Sequence, residues 1–331
     1  MKAAGSLTSN LEPHSKVKRY RHLFGPVNSR RLGLSLGVDL VPYKYCPLNC
    51  VYCEVQSTTH LITVRNEYIP IDEILEELDH FLTSRPPLDY ITFSGAGEPT
   101  LNIGFGRVVK HIKSRYPEYK LALLTNGTLL HDPVVKAEAL PCDLVLPSLD
   151  SATQRGYEII NRPQKDLLVQ ELIASLIAFR QEYKGEMWLE VFIIAGINDS
   201  QEELIALSRA ISQIRPDKVQ LNALDRPGAE EWVQAAPLSL LQEIKAFFQT
   251  QFTTPVEIIA KAAAHLEYEG SADMLAQIAS TLQRRPSTAE DLAITLGTHI
   301  NEVSKLLREL NTAGKIEHKR EERGVFYLWK A

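Results

Sequence analysis

The sequence predicts an α/β fold: a parallel sheet of six β/α units, then a smaller unit of three helices and a hairpin. Three observations carry that reading. Short β-branched or apolar runs alternate with longer stretches of helical period from residue 34 to residue 224. After Gly270 the alternation gives way to three helical patterns and a β-rich tail. The length of 331 residues, with 44% hydrophobic and 23% charged residues, suits one large domain and one small one and excludes a disulfide scaffold or a disordered chain.

From His14 to Arg31 the chain carries Lys16, Lys18, Arg19, Arg21, Arg30 and Arg31 and no acidic residue. Residues 1–33 therefore read as a basic arm, whose plain alternative is a solvated lead-in. The first strand pattern, 34–41, precedes a helix over 71–82. Strand 89–93 leads into a helix over 103–116, and strand 120–124 into one over 133–140. The next pairs are 144–149 with 167–183 and 188–194 with 201–214; strand 218–224 follows, with an optional further strand at 256–260. Right-handed crossovers between parallel strands curl six such units into a partial (β/α)6 TIM-like barrel, placed at residues 34–262. In that architecture chemistry sits at the carboxyl ends of the strands.

Residues 272–282, 288–296 and 299–313 read as helices and 316–329 as the tail, which together make a winged helix-turn-helix over 270–331. Ile300, Val303, Leu306, Leu307 and Leu310 share one face of the third helix, leaving Asn301, Lys305, Arg308 and Asn311 outward. Residues 271–331 hold nine Lys or Arg against eight Asp or Glu. So weak a basic balance leaves docking of protein and of nucleic acid level, with Arg284, Arg285, Lys305, Arg308 and Arg320 as the basic residues to inspect. The formal charge of -5 for the whole chain excludes a surface that grips nucleic acid everywhere.

Chemistry is signalled after the first strand, where Tyr45-Cys46-Pro47-Leu48-Asn49-Cys50-Val51-Tyr52-Cys53 sets three cysteines at C-x3-C-x2-C spacing. Thiolates are soft ligands. Three on one tight loop can hold three irons of a four-iron cluster and leave the fourth open. A four-cysteine zinc site is disfavoured, because Cys142 falls at the entry of the fourth strand, the end away from the expected chemistry; it reads as a structural core residue.

In spacing and in placement after the first barrel strand, this triplet resembles the signature of the radical S-adenosylmethionine superfamily. The resemblance covers residues 17–225 and implies Cys46, Cys50 and Cys53 as ligands of a [4Fe-4S] cluster. The open iron would chelate the methionine moiety of S-adenosylmethionine, and an electron from the cluster would yield a 5′-deoxyadenosyl radical. Tyr52 occupies the position that contacts adenine in the family, with a half-buried loop aromatic as the plain alternative. Ser94-Gly95-Ala96-Gly97-Glu98-Pro99-Thr100 matches the family's Gly-Gly-Glu element, in which Gly95 and Gly97 let backbone approach a ligand and Glu98 accepts from the methionine ammonium. Ser148 and Asp150, and less firmly Asn126 and Arg162, take the ribose and carboxylate contacts by the same resemblance. Asp150 has an equal alternative as a helix cap. Asn222 and Gly196 are weaker members of the set, and Asn198 and Asp199 also serve to begin a helix.

The stretch from Phe24 to Gly37, with Gly97-Glu98-Pro99-Thr100, looks like a subgroup related to wyosine-forming tRNA enzymes. Wyosine formation itself needs further cysteines upstream of the triplet, and none precedes Cys46. The expectation is a radical enzyme acting on RNA, a nucleoside or protein brought by the C-terminal unit, with flavodoxin or ferredoxin as electron donor. An iron-sulfur sensor that binds DNA is the alternative. Four cysteines in all, no apolar leader in residues 1–16 and no apolar stretch near the ~18 residues of a membrane span point to a reduced, cytoplasmic setting.

Overall fold

The computed structural model describes residues 20–29, 31–259, 274–298, 300–321 and 323–330. Lys16, Lys18, Arg19 and Arg30 of the basic stretch, and the expected boundary at 262–270, lie outside the described residues. The large unit runs β1 (Leu23–Ser29), β2 (Gly33–Val38), β3 (Tyr45–Cys46), β4 (His60–Leu61), α1 (Ile71–Leu82), β5 (Tyr90–Phe93), α2 (Phe105–Arg115), β6 (Lys120–Thr125) and α3 (Pro133–Ala139). It continues with β7 (Leu144–Pro147), α4 (Gln154–Ile160), α5 (Val169–Glu182), β8 (Glu186–Phe192), α6 (Gln201–Ile214), β9 (Lys218–Asn222), α7 (Leu238–Gln251) and β10 (Val256–Ile258).

One eight-stranded sheet has the order β1-β2-β5-β6-β7-β8-β9-β10. From β2 to β10 every neighbour is parallel, so the six expected strands are joined by the optional one at 256–258. Residues 23–29, read from the sequence as part of the basic arm, form an antiparallel edge strand paired with β2. The run Leu23-Phe24-Gly25-Pro26 carries turn signals, but an edge strand tolerates a proline that cannot donate to a ladder, and the register shifts between Phe24 and Val27. Phe24 lies flat against Gly37, where an added Cβ would stand 2.0 Å from the ring.

The two-residue period of the strands divides their side chains cleanly. Leu36, Val38, Ile91, Phe93, Leu121, Leu123, Val145, Leu189 and Leu221 pack outward under Leu78, Leu82, Val108, Ile112, Leu176, Phe179, Leu207 and Ile211 of the helices. Facing inward are Leu32, Ala122, Leu144 and Leu146, a separate small cluster. With them come Ser35 and Thr92, which hydrogen-bond each other, and Glu190, ion-paired to Arg31. An inner face of small and polar groups leaves room that the outer face does not.

The C-terminal unit is α8 (Met274–Arg284), β11 (Ser287–Thr288), α9 (Ala289–Leu296), α10 (Ile300–Thr312), β12 (Ile316–Glu321) and β13 (Gly324–Trp329). Its strands pair in the order β11-β13-β12. Its own core gathers Ile278, Leu282, Leu292, Val303, Leu307, Leu310 and Ile316. Asn301, Lys305, Arg308 and Asn311 are exposed, as the helical period predicts. A capping box between Thr288 and Asp291 starts α9, and Gly297, at φ 58°, ends it.

Asn102 is fully buried and ties strand end to helix start, its Nδ2 donating to Leu40 O at 2.8 Å and to Ile69 O at 3.1 Å. Asn102→Ala leaves both carbonyls unpaired, at a cost of ~1–3 kcal/mol for each. Equilibrium urea unfolding of the full chain reads this loss as a lower midpoint.

Candidate active site

The cysteine loop leaves the carboxyl end of β2 and is pinned by backbone on two sides. Lys44 N donates to Ala96 O at 2.6 Å and Glu98 N to Tyr45 O at 3.0 Å, fixing the loop to the turn after β5. Asn49 N donates to Asn161 O at 2.9 Å, Val51 N to Ile160 O at 2.9 Å and Gln164 N to Pro47 O at 2.8 Å, fixing it to the end of α4. Glu230 N adds a bond to Val51 O at 3.0 Å. These contacts set Cys46, Cys50 and Cys53 side by side as free, half-buried thiols.

Each sulfur accepts from a side-chain N–H, the three side chains coming from different segments, and Cys46 takes a backbone bond from Leu48 as well. Lys44 Nζ lies 3.0 Å from Cys53 Sγ, Asn126 Nδ2 lies 3.4 Å from Cys46 Sγ and Asn161 Nδ2 lies 3.4 Å from Cys50 Sγ. Burial pushes the Cys46 thiol up to about 12, with Glu98 adding to it. The Cys50 thiol is also raised, by burial first, then by Asp150 and by the other two cysteines. Three neighbouring thiolates are tolerable only around compensating positive charge, which iron provides. Among the described residues no three His, Cys, Asp or Glu side chains are gathered around a point for a single metal ion. Three soft sulfurs on one loop, each accepting an N–H bond, fit the donor set of an iron-sulfur cluster.

Around the loop, the structure sorts the sequence-derived residues. Gly95, at φ 119°, has no room for a Cβ, which would stand 2.0 Å from Asp39 Oδ1; at Gly97 it would stand 2.1 Å from Tyr45 O. The turn 94–98 thus lies as bare backbone against the cysteine loop. Glu98 departs from its expected role. Its Oε1 accepts from Thr100 N at 3.2 Å, Thr100 Oγ1 at 2.6 Å and Thr125 Oγ1 at 2.7 Å, and its Oε2 from Asn126 N at 2.8 Å. A buried carboxylate so engaged ties β5 to β6 and shapes the turn; burial raises its pKa and these bonds oppose the rise. Asn126 faces the Cys46 sulfur, while its Oδ1 accepts from Thr128 N at 3.0 Å.

Asp150 is not a helix cap, since Thr153 caps α4. Its Oδ2 accepts from Tyr52 Oη and Asn161 Nδ2, both at 2.6 Å, and its Oδ1 from Phe192 N at 2.9 Å. Tyr52 stacks on Phe192 with ring centroids 3.8 Å apart. The half-buried hydroxyl of Ser148 makes no hydrogen bond to another described side chain, and its residue bridges Glu190 of β8. Arg162, at φ 43°, is ion-paired with Glu230 and so braces the loop that packs on Tyr52. Gly196 and Asp199 form a local turn, Asn198 is a buried brace on Asp150 O at 2.7 Å, and Asn222 Oδ1 accepts from Ala223 N at 3.0 Å. These four serve the backbone. Sequence reasoning missed Lys44 and Asn161, because a lone lysine or asparagine beside a motif carries no spacing signal.

A family profile described as Radical SAM superfamily matches residues 40–208. A protein of Brachyspira hyodysenteriae named GTPase Obg is 35% identical over 305 residues, which is 91% of this chain and 44% of that protein. The chain thus spans less than half of that relative. A UPF0026 protein of Methanocaldococcus jannaschii is 30% identical over 318 residues, 92% of this chain and 95% of that one. A radical SAM methyltransferase from Sphaerobacter thermophilus superposes with a TM-score of 0.54 at 16% identity, over 68% of this chain and 65% of that one. Streptococcus suis SuiB bound to S-adenosylmethionine gives 0.51 at 14%, over 69% and 51%. These structures share the fold.

Cys142 is buried, and burial raises its thiol to about 12. A buried thiol with a raised pKa reacts as thiolate only as pH climbs towards that value, so at pH 8 Cys142 is largely unreactive in the folded chain. Mass spectrometry after iodoacetamide treatment at pH 8 is expected to find Cys142 unmodified in the native chain and modified after unfolding. Iron analysis after anaerobic reconstitution is expected to find Cys142→Ala unchanged from the parent chain and Cys46→Ala, Cys50→Ala and Cys53→Ala depleted.

Proposed function

The chain belongs to the Radical SAM superfamily and to the UPF0026 proteins, and on that premise we propose that it is a radical S-adenosylmethionine enzyme with Cys46, Cys50 and Cys53 as its cluster ligands. The family uses a [4Fe-4S] cluster and S-adenosylmethionine. The observation that carries the assignment to these residues is the trio of thiols with a side-chain N–H donor on each sulfur. Bound there, the cluster and its cofactor supply the one-electron cleavage of the sulfonium bond that yields a 5′-deoxyadenosyl radical.

The chain's own residues orient and shield. Lys44, Asn126 and Asn161 hold the sulfurs by hydrogen bonds that favour added negative charge there. Gly95 and Gly97 offer backbone to the methionine end, and Glu98 keeps that turn in place. Ser148 supplies a hydroxyl towards ribose, and Asp150 holds the Tyr52 ring where it can cover adenine. Arg162 reaches the methionine carboxylate only by exchanging Glu230 for it. The electron comes from a donor of the flavodoxin or ferredoxin type. No helix among the described residues is long and apolar enough to cross a membrane.

We read the three helices and three strands of the C-terminal unit as a winged helix, with residues 34–262 and 270–331 as the two domains. A glycine-lined cofactor turn has no use in a sensor that only changes oxidation state, which favours the enzyme.

Anaerobic reconstitution with iron and sulfide, then dithionite and S-adenosylmethionine, is expected to release 5′-deoxyadenosine, and Cys53→Ala to release none. An intact cofactor together with sequence-specific DNA binding would instead favour the sensor. Lys44 is 3% exposed, and its side chain forms no ion pair with a described carboxylate. Replacing this charged donor by Met removes stabilisation of the reduced state, so Lys44→Met lowers the cluster midpoint potential while Lys44→Arg largely restores it. A dithionite titration followed by electron paramagnetic resonance reads both.

A further inference from the structure

The C-terminal unit is gripped from both ends of the sheet. Near β2, Asp39 Oδ2 accepts from Arg284 Nε at 3.1 Å and Nη2 at 2.7 Å, and the Arg284 guanidinium lies 4.7 Å from the Phe24 ring centre. From the loop after β9, Arg226 Nη1 donates to Pro286 O at 2.8 Å and to Ser287 Oγ and Asp291 Oδ2 at 3.1 Å. Arg323 Nη2 adds a bond to Asp291 Oδ2 at 2.6 Å. Arg226 is a barrel residue, yet it is only 6% exposed because the C-terminal unit covers it. In sheet order β1 and β9 stand near opposite edges. A body held by both spans the gap that a partial barrel leaves open.

Between that body and the inner face of the sheet lies a cavity of about 570 Å³. Ser35 and Thr92 wall it on the sheet side, Arg285 and Thr295 on the other, and Gly95 and Glu54 where it meets the cofactor turn and the cysteine loop. Its size falls within the range of small-molecule sites, roughly 300–1,000 Å³. Beside the apolar Phe24, Val27, Leu32, Leu124 and Ile294, its lining offers hydroxyls and charges of both signs, which suits an occupant with polar groups on an apolar body.

We propose that the C-terminal unit is a fixed cap over the open side of the barrel, and that the substrate is a small molecule with polar groups on an apolar body, held between cap and sheet. A strand of RNA or a folded protein could enter only by parting Arg226 from Asp291 and Arg284 from Asp39, which strands charges in a buried seam. The unit therefore limits what reaches the cavity. It also bears on the cofactor loops, since Asp39 abuts Gly95 and Arg226 Nε lies 3.5 Å from Glu54, the neighbour of Cys53. The identity of the chemistry in the cavity rests on the radical reading above; the capping does not.

Hydrogen exchange on the full chain without cluster tests the cap. In Arg226→Gln, and in the milder Arg323→Gln, amides of residues 286–295 are expected to exchange about tenfold faster together with those of 54–56 and 94–96, while α2 is unchanged. Faster exchange confined to the C-terminal unit overturns the cap. The substrate class is tested with reconstituted enzyme, dithionite, S-adenosylmethionine and anaerobic cell extract divided by ultrafiltration after nuclease and protease treatment of one half. Stimulation of 5′-deoxyadenosine release by the low-mass filtrate, unaffected by that treatment, is expected; stimulation confined to retained RNA or protein overturns it. Absence of 5′-deoxyadenosine from every mixture sinks the radical reading and leaves the exchange result to judge the cap.

Discussion

Three sulfur atoms drawn together on one short loop cannot all carry charge without help, and the mouth of this barrel is organised around that constraint. Burial first, then neighbouring charge, raises the Cys46 and Cys50 thiols. The loop holds its shape by another route, through backbone bonds to the turn at 94–98, the end of α4 and the 228–230 loop. These bonds set where the three sulfurs stand. Lys44, Asn126 and Asn161 then meet the sulfurs from three directions.

The same division between scaffold and ligand runs through the carboxylates. Glu98 and Asp150 look alike in the sequence, each after a strand and each a candidate to touch the cofactor. In the structure both are buried and engaged chiefly with the chain itself: Glu98 with Thr100, Thr125 and Asn126, Asp150 with Tyr52, Asn161 and Phe192. Neither is a loose acceptor waiting for a ligand. They set the positions of groups that are, above all the bare turn at Gly95–Gly97 and the Tyr52 ring. Preorganisation of this kind lets a reactive species form with little movement of its surroundings.

Much of the fold was legible because strand and helix periods differ so plainly. The helices at 71–82 and 201–214 have the expected limits, and the parallel strands carry apolar residues on the side that the helices cover. What was missed has local causes. Gly25 and Pro26 disguise β1 as a turn, and Gly156 breaks the helical look of α4. The cysteine triplet stood out by its spacing. The side chains that donate to its sulfurs did not, since Lys44 is a lone lysine beside the triplet and Asn126 and Asn161 reach it only through crossovers that bring loops 80 and 111 residues away to the same end of the sheet. Nor could composition disclose that the C-terminal unit leans on the barrel, because Arg226 and Arg284 find their carboxylates, Asp291 and Asp39, across 65 and 245 residues of chain.

The seam that buries Arg226 and Asp39 has a consequence for descent. Arg226 keeps Glu54 and Asp225 of the barrel beside it, and Asp291 keeps Arg323 of its own unit, but Asp39 takes its guanidinium from the tail alone. Loss of the last sixty or so residues in some lineage would leave that buried carboxylate without its ion pair. Orthologues that have shed the appendage should therefore show an uncharged residue in place of Asp39, so that the presence of the tail can be read from one letter near the head of the gene.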